Sequence, residues 1–169
     1  DTHLIMFTSG TTGDPAGVRL TMTNLFASAI ASGFRLGVNR TDRWVVSIPM
    51  AHMGGFAPIV RTTLYGTDMV VQREFDPAET AATMREYDVT GASFVPTMLS
   101  RLLEAGWEPP ASLRFVLLGG AAASRSLIER CEQTDVPVYP TYGMTETASQ
   151  VATATPEQVF EDPTTVGQP

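Results

Sequence analysis

Residues 91–120 read GASFVPTMLSRLLEAGWEPPASLRFVLLGG, and this stretch decides the fold class. Its first part, GASFV, and its last part, LRFVLLGG, are short apolar runs typical of buried strands. Between them, PTMLSRLLEAG has the pattern of a helix that begins at a proline. A strand, a helix and a second strand form the unit from which parallel sheets are built. Because both strands are wholly apolar, we expect helices on both faces of the sheet.

The same alternation continues on both sides of this stretch. RWVVSIP, DMVVQ and PVYPTYG predict further strands, and helices are predicted over residues 23–36, residues 55–64, DPAETAATMREYD and SRSLIERCEQT. In the third of these helices Asp76 is the expected cap and Pro77 the first helical residue. The prediction is an α/β fold with a mostly parallel sheet flanked by helices. Ligands of such sheets bind beyond the carboxyl ends of the strands.

A loop of small and hydroxylated residues follows an apolar run near the start of the chain. Residues 4–7, LIMF, predict a buried strand. Glycines let backbone N–H groups approach an anion closely, and hydroxyls donate hydrogen bonds without adding bulk, so the loop is suited to bind a phosphate. The alternative interpretation is a flexible surface linker. A Walker-type loop is excluded because the chain has no lysine. The loop residues are Thr8, Ser9, Gly10, Thr11, Thr12 and Gly13.

Composition narrows the class of protein. The 169 residues suffice for one domain, and a formal charge of −7 disfavours nucleic acid as a partner. No apolar run reaches the roughly 18 residues that a membrane helix needs, so we expect a cytoplasmic protein with no membrane partner. The acidic surplus and the absence of lysine suggest a halophile, although a GC-rich genome would give the same arginine bias.

Several residue types have an ordinary structural interpretation. The single cysteine, Cys131, can form neither an internal disulfide nor a cysteine-rich metal site, and we interpret it as a helix packing residue. Trp44, Trp107 and Met98 are likewise predicted to pack in the core.

Three motifs carry a family resemblance. FTSGTTGDPAGV, GGAAA and YGMTET, in this order, resemble the adenylate-forming (acyl-CoA synthetase / AMP-binding) superfamily. IPMAHMGGFAPIVRTTLYGTDMVV and YGMTETASQVATATPE are most similar to its o-succinylbenzoate CoA ligase branch, which serves menaquinone biosynthesis. The resemblance implies that residues 1–169 are a fragment of the large N-terminal domain and that the C-terminal domain is absent. We therefore expect the isolated fragment to be inactive, and its exposed faces to favour self-association.

The resemblance also implies roles for single residues. The loop from Thr8 to Gly13 would surround the β- and γ-phosphates of ATP. Tyr142 would stack on adenine, Thr145 would donate to the α-phosphate, Glu146 would hold Mg²⁺, and His52 would lie beside the acyl substrate. The wall beside the adenine would consist of Gly119, Gly120 and Ala121. Without the motif, Glu146 would be a surface glutamate and His52 a core histidine.

Arg61 lies nine residues after His52 among mostly apolar neighbours. An unpaired guanidinium is costly to bury, so this arginine needs an anion. One interpretation is that Arg61 binds the carboxylate of o-succinylbenzoate that is not activated. The other is that its stem packs while its head reaches water or a carboxylate such as Asp68.

The chain departs from the family pattern at one position. The family has Pro-Lys-Gly where this sequence has Pro15, Ala16 and Gly17 after Asp14. Either another arginine supplies the missing positive charge, Arg19 being the nearest, or phosphate binding is weaker.

The implied function is that of an ATP-dependent acid–CoA ligase. Its partners would be a carboxylic acid, ATP with Mg²⁺, and CoA, whose site would lie largely outside the fragment. Another acyl- or aryl-CoA ligase and an amino-acid adenylation domain are alternatives with the same ATP site. A non-catalytic nucleotide-binding module is the alternative from another class.

Overall fold

The computed structural model of this chain describes residues 1–8 and 16–169. Eight strands and six helices occur in these residues, with a 3-10 turn at Thr145–Thr147. The strands are β1 (Thr2–Thr8), β2 (Ala16–Thr21), β3 (Arg43–Val46), β4 (Asp68–Val71), β5 (Gly91–Phe94), β6 (Phe115–Leu118), β7 (Val138–Met144) and β8 (Ser149–Thr153). The helices are α1 (Met22–Leu36), α2 (Met53–Tyr65), α3 (Pro77–Glu86), α4 (Pro96–Glu104), α5 (Arg125–Gln133) and α6 (Pro156–Glu161).

A six-stranded sheet forms the centre of the molecule, in the order β4-β3-β5-β6-β7-β8. Strands β3 to β7 pair in parallel, and β8 is added antiparallel to β7. The predicted fold class, a mostly parallel sheet flanked by helices, is therefore confirmed. The antiparallel edge strand β8 lies beyond the predicted strands.

Both faces of the central strands β5 and β6 are buried. On one face Val45, Val116 and Val138 belong to a core that α3, α4, α5 and α6 complete. On the other face Trp44 and Phe115 pack edge to face with ring centroids 4.8 Å apart. Because successive side chains of a strand point to opposite faces, a continuous apolar run fits a sheet covered twice.

Strand β1 differs from its prediction. It pairs antiparallel with β2 in a separate two-stranded sheet. Met6 and Leu20 are buried against α1, but the side chain of Phe7 is 68% exposed. The expectation of a fully buried strand at residues 4–7 is thus wrong, because a hairpin packs only one of its faces on the neighbouring helix.

Caps fix the starts of the helices. Asp76 accepts a hydrogen bond from the Glu79 amide and Pro77 is the first residue of α3, as predicted. Helix α1 starts slightly earlier than expected, since Thr21 is its cap and Asn24 completes the capping box. Helix α6 was not predicted, because six residues are too few to show a helical period.

The predicted packing residues occupy the core. Trp44, Trp107 and Cys131 are buried, and Met98 packs against the main core. Burial raises the pKa of the Cys131 thiol to about 12, so it stays protonated and unreactive at neutral pH. Within the described part of the chain, every helix is too short or too polar to cross a membrane.

Candidate active site

A cavity of about 340 Å³ lies at the carboxyl ends of the parallel strands. Its walls include Phe94 at the end of β5, Leu117 in β6 and Thr141 in β7. The beginning of α2 and the beginning of β8 close its sides. The cavity therefore occupies the position at which parallel α/β sheets bind ligands.

The cavity brings together four separate parts of the sequence, within residues 48–61, 93–95, 117–120 and 141–150. His52, Arg61, Gly119, Gly120 and Thr145, all predicted site residues, line it.

The remaining predicted residues lie elsewhere. Ala121, Tyr142 and Glu146 are exposed, at the surface rather than in the lining that the described residues form. Thr8 ends β1, and its hydroxyl lies 3.4 Å from the carbonyl oxygen of Ala16. The other loop residues to which phosphate binding was assigned, Ser9, Gly10, Thr11, Thr12 and Gly13, lie outside the described residues.

His52 occupies the cap position of α2 with extended backbone geometry. Its neighbour Gly55 is forced to be glycine, because a Cβ there would lie 2.3 Å from the carbonyl oxygen of Ile48. This close approach holds the start of α2 against the segment that follows β3, and His52 lines the cavity. Since the His52 side chain is exposed, its interpretation as a core histidine is wrong.

The glycine wall follows β6 directly. Gly120 has a φ of +81°, a conformation that residues with a Cβ rarely adopt. At Gly119 a Cβ would lie 3.0 Å from the Thr141 methyl group. The backbone is therefore bare on the cavity side, and a flat ligand can approach it closely.

The segment from Tyr142 to Ser149 turns sharply between β7 and β8. A Cβ on Gly143 would lie 2.2 Å from the Ser149 carbonyl oxygen, so only glycine fits. Ala148 and Ser149 have φ values of 55° and 125°, which are costly for residues with a side chain. The Thr147 hydroxyl donates to the Ser149 carbonyl at 2.8 Å and holds this turn.

Arg61 is buried in the cavity wall, with only 2% of its surface exposed. Its Nη2 donates to Ser149 Oγ at 2.9 Å and to Gln150 Oε1 at 3.0 Å. Its guanidinium carbon lies 5.4 Å from the centre of the Trp44 ring, within the range of a cation–π contact. Arg61 Nε is buried and has no hydrogen-bond partner among the described residues.

Burial lowers the pKa of Arg61 to about 10, so the guanidinium still carries its charge at neutral pH. The interpretation that its head reaches water or Asp68 is wrong. Asp68 forms its ion pair with Arg43 instead, at 3.2 Å.

The sequence analysis missed Ser149 and Gln150 as site residues. Both lie just after the YGMTET motif, separated from it by Ala148, and two polar side chains so close to a predicted site motif were the available signal. Ser93 in β5, which also lines the cavity, was not predicted either.

Arg19 lies in β2, where it pairs with Ile5, whereas Ala16 pairs with Thr8. Arg19 lies three positions after Ala16, so their side chains leave the strand on opposite faces, about 10 Å apart along it. This geometry disfavours Arg19 as the replacement for the missing lysine.

The described residues contain no cluster of three or more His, Cys, Asp or Glu side chains that could hold a metal ion.

Comparison with known proteins gives consistent matches over the whole chain. The chain is 43% identical to the 2-succinylbenzoate–CoA ligase of Bacillus licheniformis, and the match covers 100% of this chain and 35% of that protein. The o-succinylbenzoate CoA synthetase of Bacillus subtilis, solved in complex with ATP and magnesium ion, superposes with a TM-score of 0.94 at 39% identity. That match covers 98% of this chain and 35% of the solved chain.

The same Bacillus subtilis enzyme has been solved with the acyl-adenylate intermediate OSB-AMP. That structure matches this chain with a TM-score of 0.95 and 39% identity, over 98% of this chain and 34% of the solved one. The chain thus spans about a third of the length of the relatives it matches. The family model described as AMP-binding enzyme matches residues 1–169. The chain therefore belongs to the AMP-binding enzyme family.

Proposed function

We propose that this chain is part of an AMP-forming acid–CoA ligase that acts on o-succinylbenzoate. Residues 1–169 would belong to its large N-terminal domain, and a C-terminal domain would complete the enzyme. The family membership and the names of the relatives support this proposal. The product would be the CoA thioester used in menaquinone biosynthesis, made in the cytoplasm where ATP and CoA are available.

The observation that carries the choice of acid is the buried Arg61 in the cavity wall. o-Succinylbenzoate has two carboxylates, of which one reacts and the other stays charged. The Arg61 cation would bind the second carboxylate, directly or through water. A fatty acid or benzoate has only one carboxylate and would leave this charge uncompensated.

The nucleotide would bind on the side of the cavity formed by the glycine wall and the turn after β7. Adenine would lie between Tyr142 and the wall of Gly119, Gly120 and Ala121. The Thr145 hydroxyl would donate to the α-phosphate, and the loop of residues 8–13 would surround the other two phosphates.

Mg²⁺ would bind together with the phosphates of ATP. Mg²⁺ is often held by one or two carboxylates together with substrate phosphates and water. Glu146, exposed at the 3-10 turn beside Thr145, is the carboxylate in the right segment. The bound ion would neutralise charge on the phosphates.

The chemistry has two steps. A carboxylate oxygen of the acid attacks the α-phosphorus, an O–P bond forms, and the bond to the β-phosphate oxygen breaks to release pyrophosphate. The sulfur of CoA, after loss of its proton, then attacks the acyl carbon and AMP leaves. In the first step Thr145 would stabilise charge on the α-phosphate, while His52 and Arg61 would hold the acid in line.

Exchange of labelled pyrophosphate into ATP by the full-length protein tests the proposal. With a panel of o-succinylbenzoate, benzoate, a fatty acid and amino acids, exchange should be fastest with o-succinylbenzoate. Faster exchange with a monocarboxylic acid or an amino acid would instead identify another ligase or an adenylation domain. No exchange with any acid, together with tight ATP binding, would identify a nucleotide-binding module.

A further inference from the structure

We infer that Gln150 is a positioning residue that aims the Arg61 guanidinium at the acid without neutralising its charge. The inference rests on the proposed function, since it assigns Arg61 to the second carboxylate of the substrate. Gln150 belongs to β8 and also lines the cavity.

The amide of Gln150 has a fixed orientation. Its Oε1 accepts from Arg61 Nη2 at 3.0 Å, and its Nε2 donates to Thr153 Oγ1 at 3.0 Å. The Ser32 hydroxyl from α1 also lies 3.4 Å from Oε1. If the amide were reversed, its NH₂ group would face the guanidinium, and two donors would oppose each other. The hydrogen-bond network therefore keeps the acceptor towards Arg61.

Arg61 differs from Arg114 and Arg43 in the charge of its partners. Arg114 and Arg43 bind the carboxylates of Asp42 and Asp68 at 2.6 Å and 3.2 Å. Among the described residues, the side chains that accept hydrogen bonds from Arg61 are the neutral ones of Ser149 and Gln150. A neutral acceptor fixes the direction of a guanidinium but leaves its positive charge available to an anionic ligand.

The position of Gln150 is set by the turn that precedes it. Ser28 of α1 donates to the Ala148 carbonyl at 2.8 Å, and Thr147 donates to the Ser149 carbonyl. These bonds hold Ala148 and Ser149 in their costly conformations. The start of β8 is therefore fixed relative to Thr145, which lines the same cavity.

Gln150→Glu in the full-length enzyme is the decisive variant. A glutamate would form an ion pair with Arg61 and compete with the second carboxylate of the substrate. We expect the KM for o-succinylbenzoate to rise roughly tenfold to a hundredfold, the loss of one charge-assisted contact. The KM for ATP and the kcat should change less than about twofold. Exchange with benzoate, which lacks the second carboxylate, should not fall, because the glutamate then has no second carboxylate to compete with.

Gln158→Glu is the matched control. Gln158 Oε1 also accepts from an arginine, Arg35 Nη2 at 2.9 Å, but at the surface and outside the cavity lining. This variant makes the same chemical change and should leave every kinetic constant at the wild-type value. Gln150→Met, which keeps the length and adds no charge, should raise the KM for o-succinylbenzoate less than Gln150→Glu does, and it provides the test if the glutamate variant fails to fold.

A double variant separates positioning from general damage. Once Arg61 is replaced by Met, the uncharged Gln150→Met should raise the KM for o-succinylbenzoate no further. A wild-type KM in both Gln150 variants, or an equal rise for ATP, benzoate and o-succinylbenzoate, would overturn the inference while leaving the proposed function intact. A wild-type enzyme that does not activate o-succinylbenzoate would overturn both.

Discussion

Replacement of Arg61 by Met in the full-length protein tests the acid site most directly. Methionine keeps an unbranched stem to pack near Trp44 but removes the guanidinium and its charge. A charge-assisted hydrogen bond to a carboxylate contributes about 1.5–3 kcal/mol. The KM for o-succinylbenzoate should therefore rise roughly tenfold to a hundredfold, with the KM for ATP nearly unchanged.

The same variant should have a small effect on folding. Arg61 is a buried cation with an unpartnered Nε in the described part of the structure, so an apolar replacement removes a desolvation cost as well as two hydrogen bonds. We expect the free energy of unfolding to stay within about 1 kcal/mol of wild type. Arg61→Ala should give the same KM but be less stable than Arg61→Met by about 2–5 kcal/mol, because it leaves a cavity.

Initial rates of pyrophosphate exchange and urea unfolding of the same preparations provide both measurements. A loss of activity caused by unfolding would follow stability and would therefore differ between the two variants. If either folded variant has the wild-type KM for o-succinylbenzoate, Arg61 does not bind the acid and the reasoning is refuted.

Four further predictions follow from the composition and the geometry. The isolated chain should release no acid-dependent pyrophosphate above a Glu146→Ala control, because positioning of the reacting groups needs the rest of the enzyme. Release above that control would contradict this prediction. Gly143→Ala should lower the free energy of unfolding by about 2–3 kcal/mol in urea titrations, because its Cβ would lie 2.2 Å from the Ser149 carbonyl oxygen. Gly106→Ala, with open space around it, should cost only about 1 kcal/mol. Equal losses in the two variants would argue against the clash. The isolated chain should self-associate in sedimentation experiments through an exposed apolar ridge on α1, formed by Met22, Phe26, Ile30 and Phe34. Phe34→Glu should weaken this association. A monomer at high protein concentration would contradict the prediction. If the net charge of −7 reflects salt adaptation, molar KCl should raise the melting temperature of the protein. A melting temperature that does not depend on salt would favour a GC-rich genome as the cause of the arginine bias.

Much of the fold could be predicted because it depends on local patterns. The apolar runs at β3, β5 and β6 and the Asp76–Pro77 start of α3 are contained in a few neighbouring residues each. The position of the cavity could also be predicted from the sequence, because all parallel strands of one sheet end at the same edge. The pairing of β1 with β2 and the addition of β8 could not be predicted, since strand partners are chosen by contacts between distant segments.

The sequence by itself determined which chemical groups collect at the strand ends: a histidine, a glycine pair and the hydroxyls and carboxylate of YGMTET. Only the tertiary structure decided the state of Arg61, because its burial and its partners come from a segment 89 residues further along the chain. Sequence left a surface arginine and a buried one equally possible. The packing of α2 against β8 places this cation in the cavity wall between neutral acceptors, where an anionic ligand can use its charge.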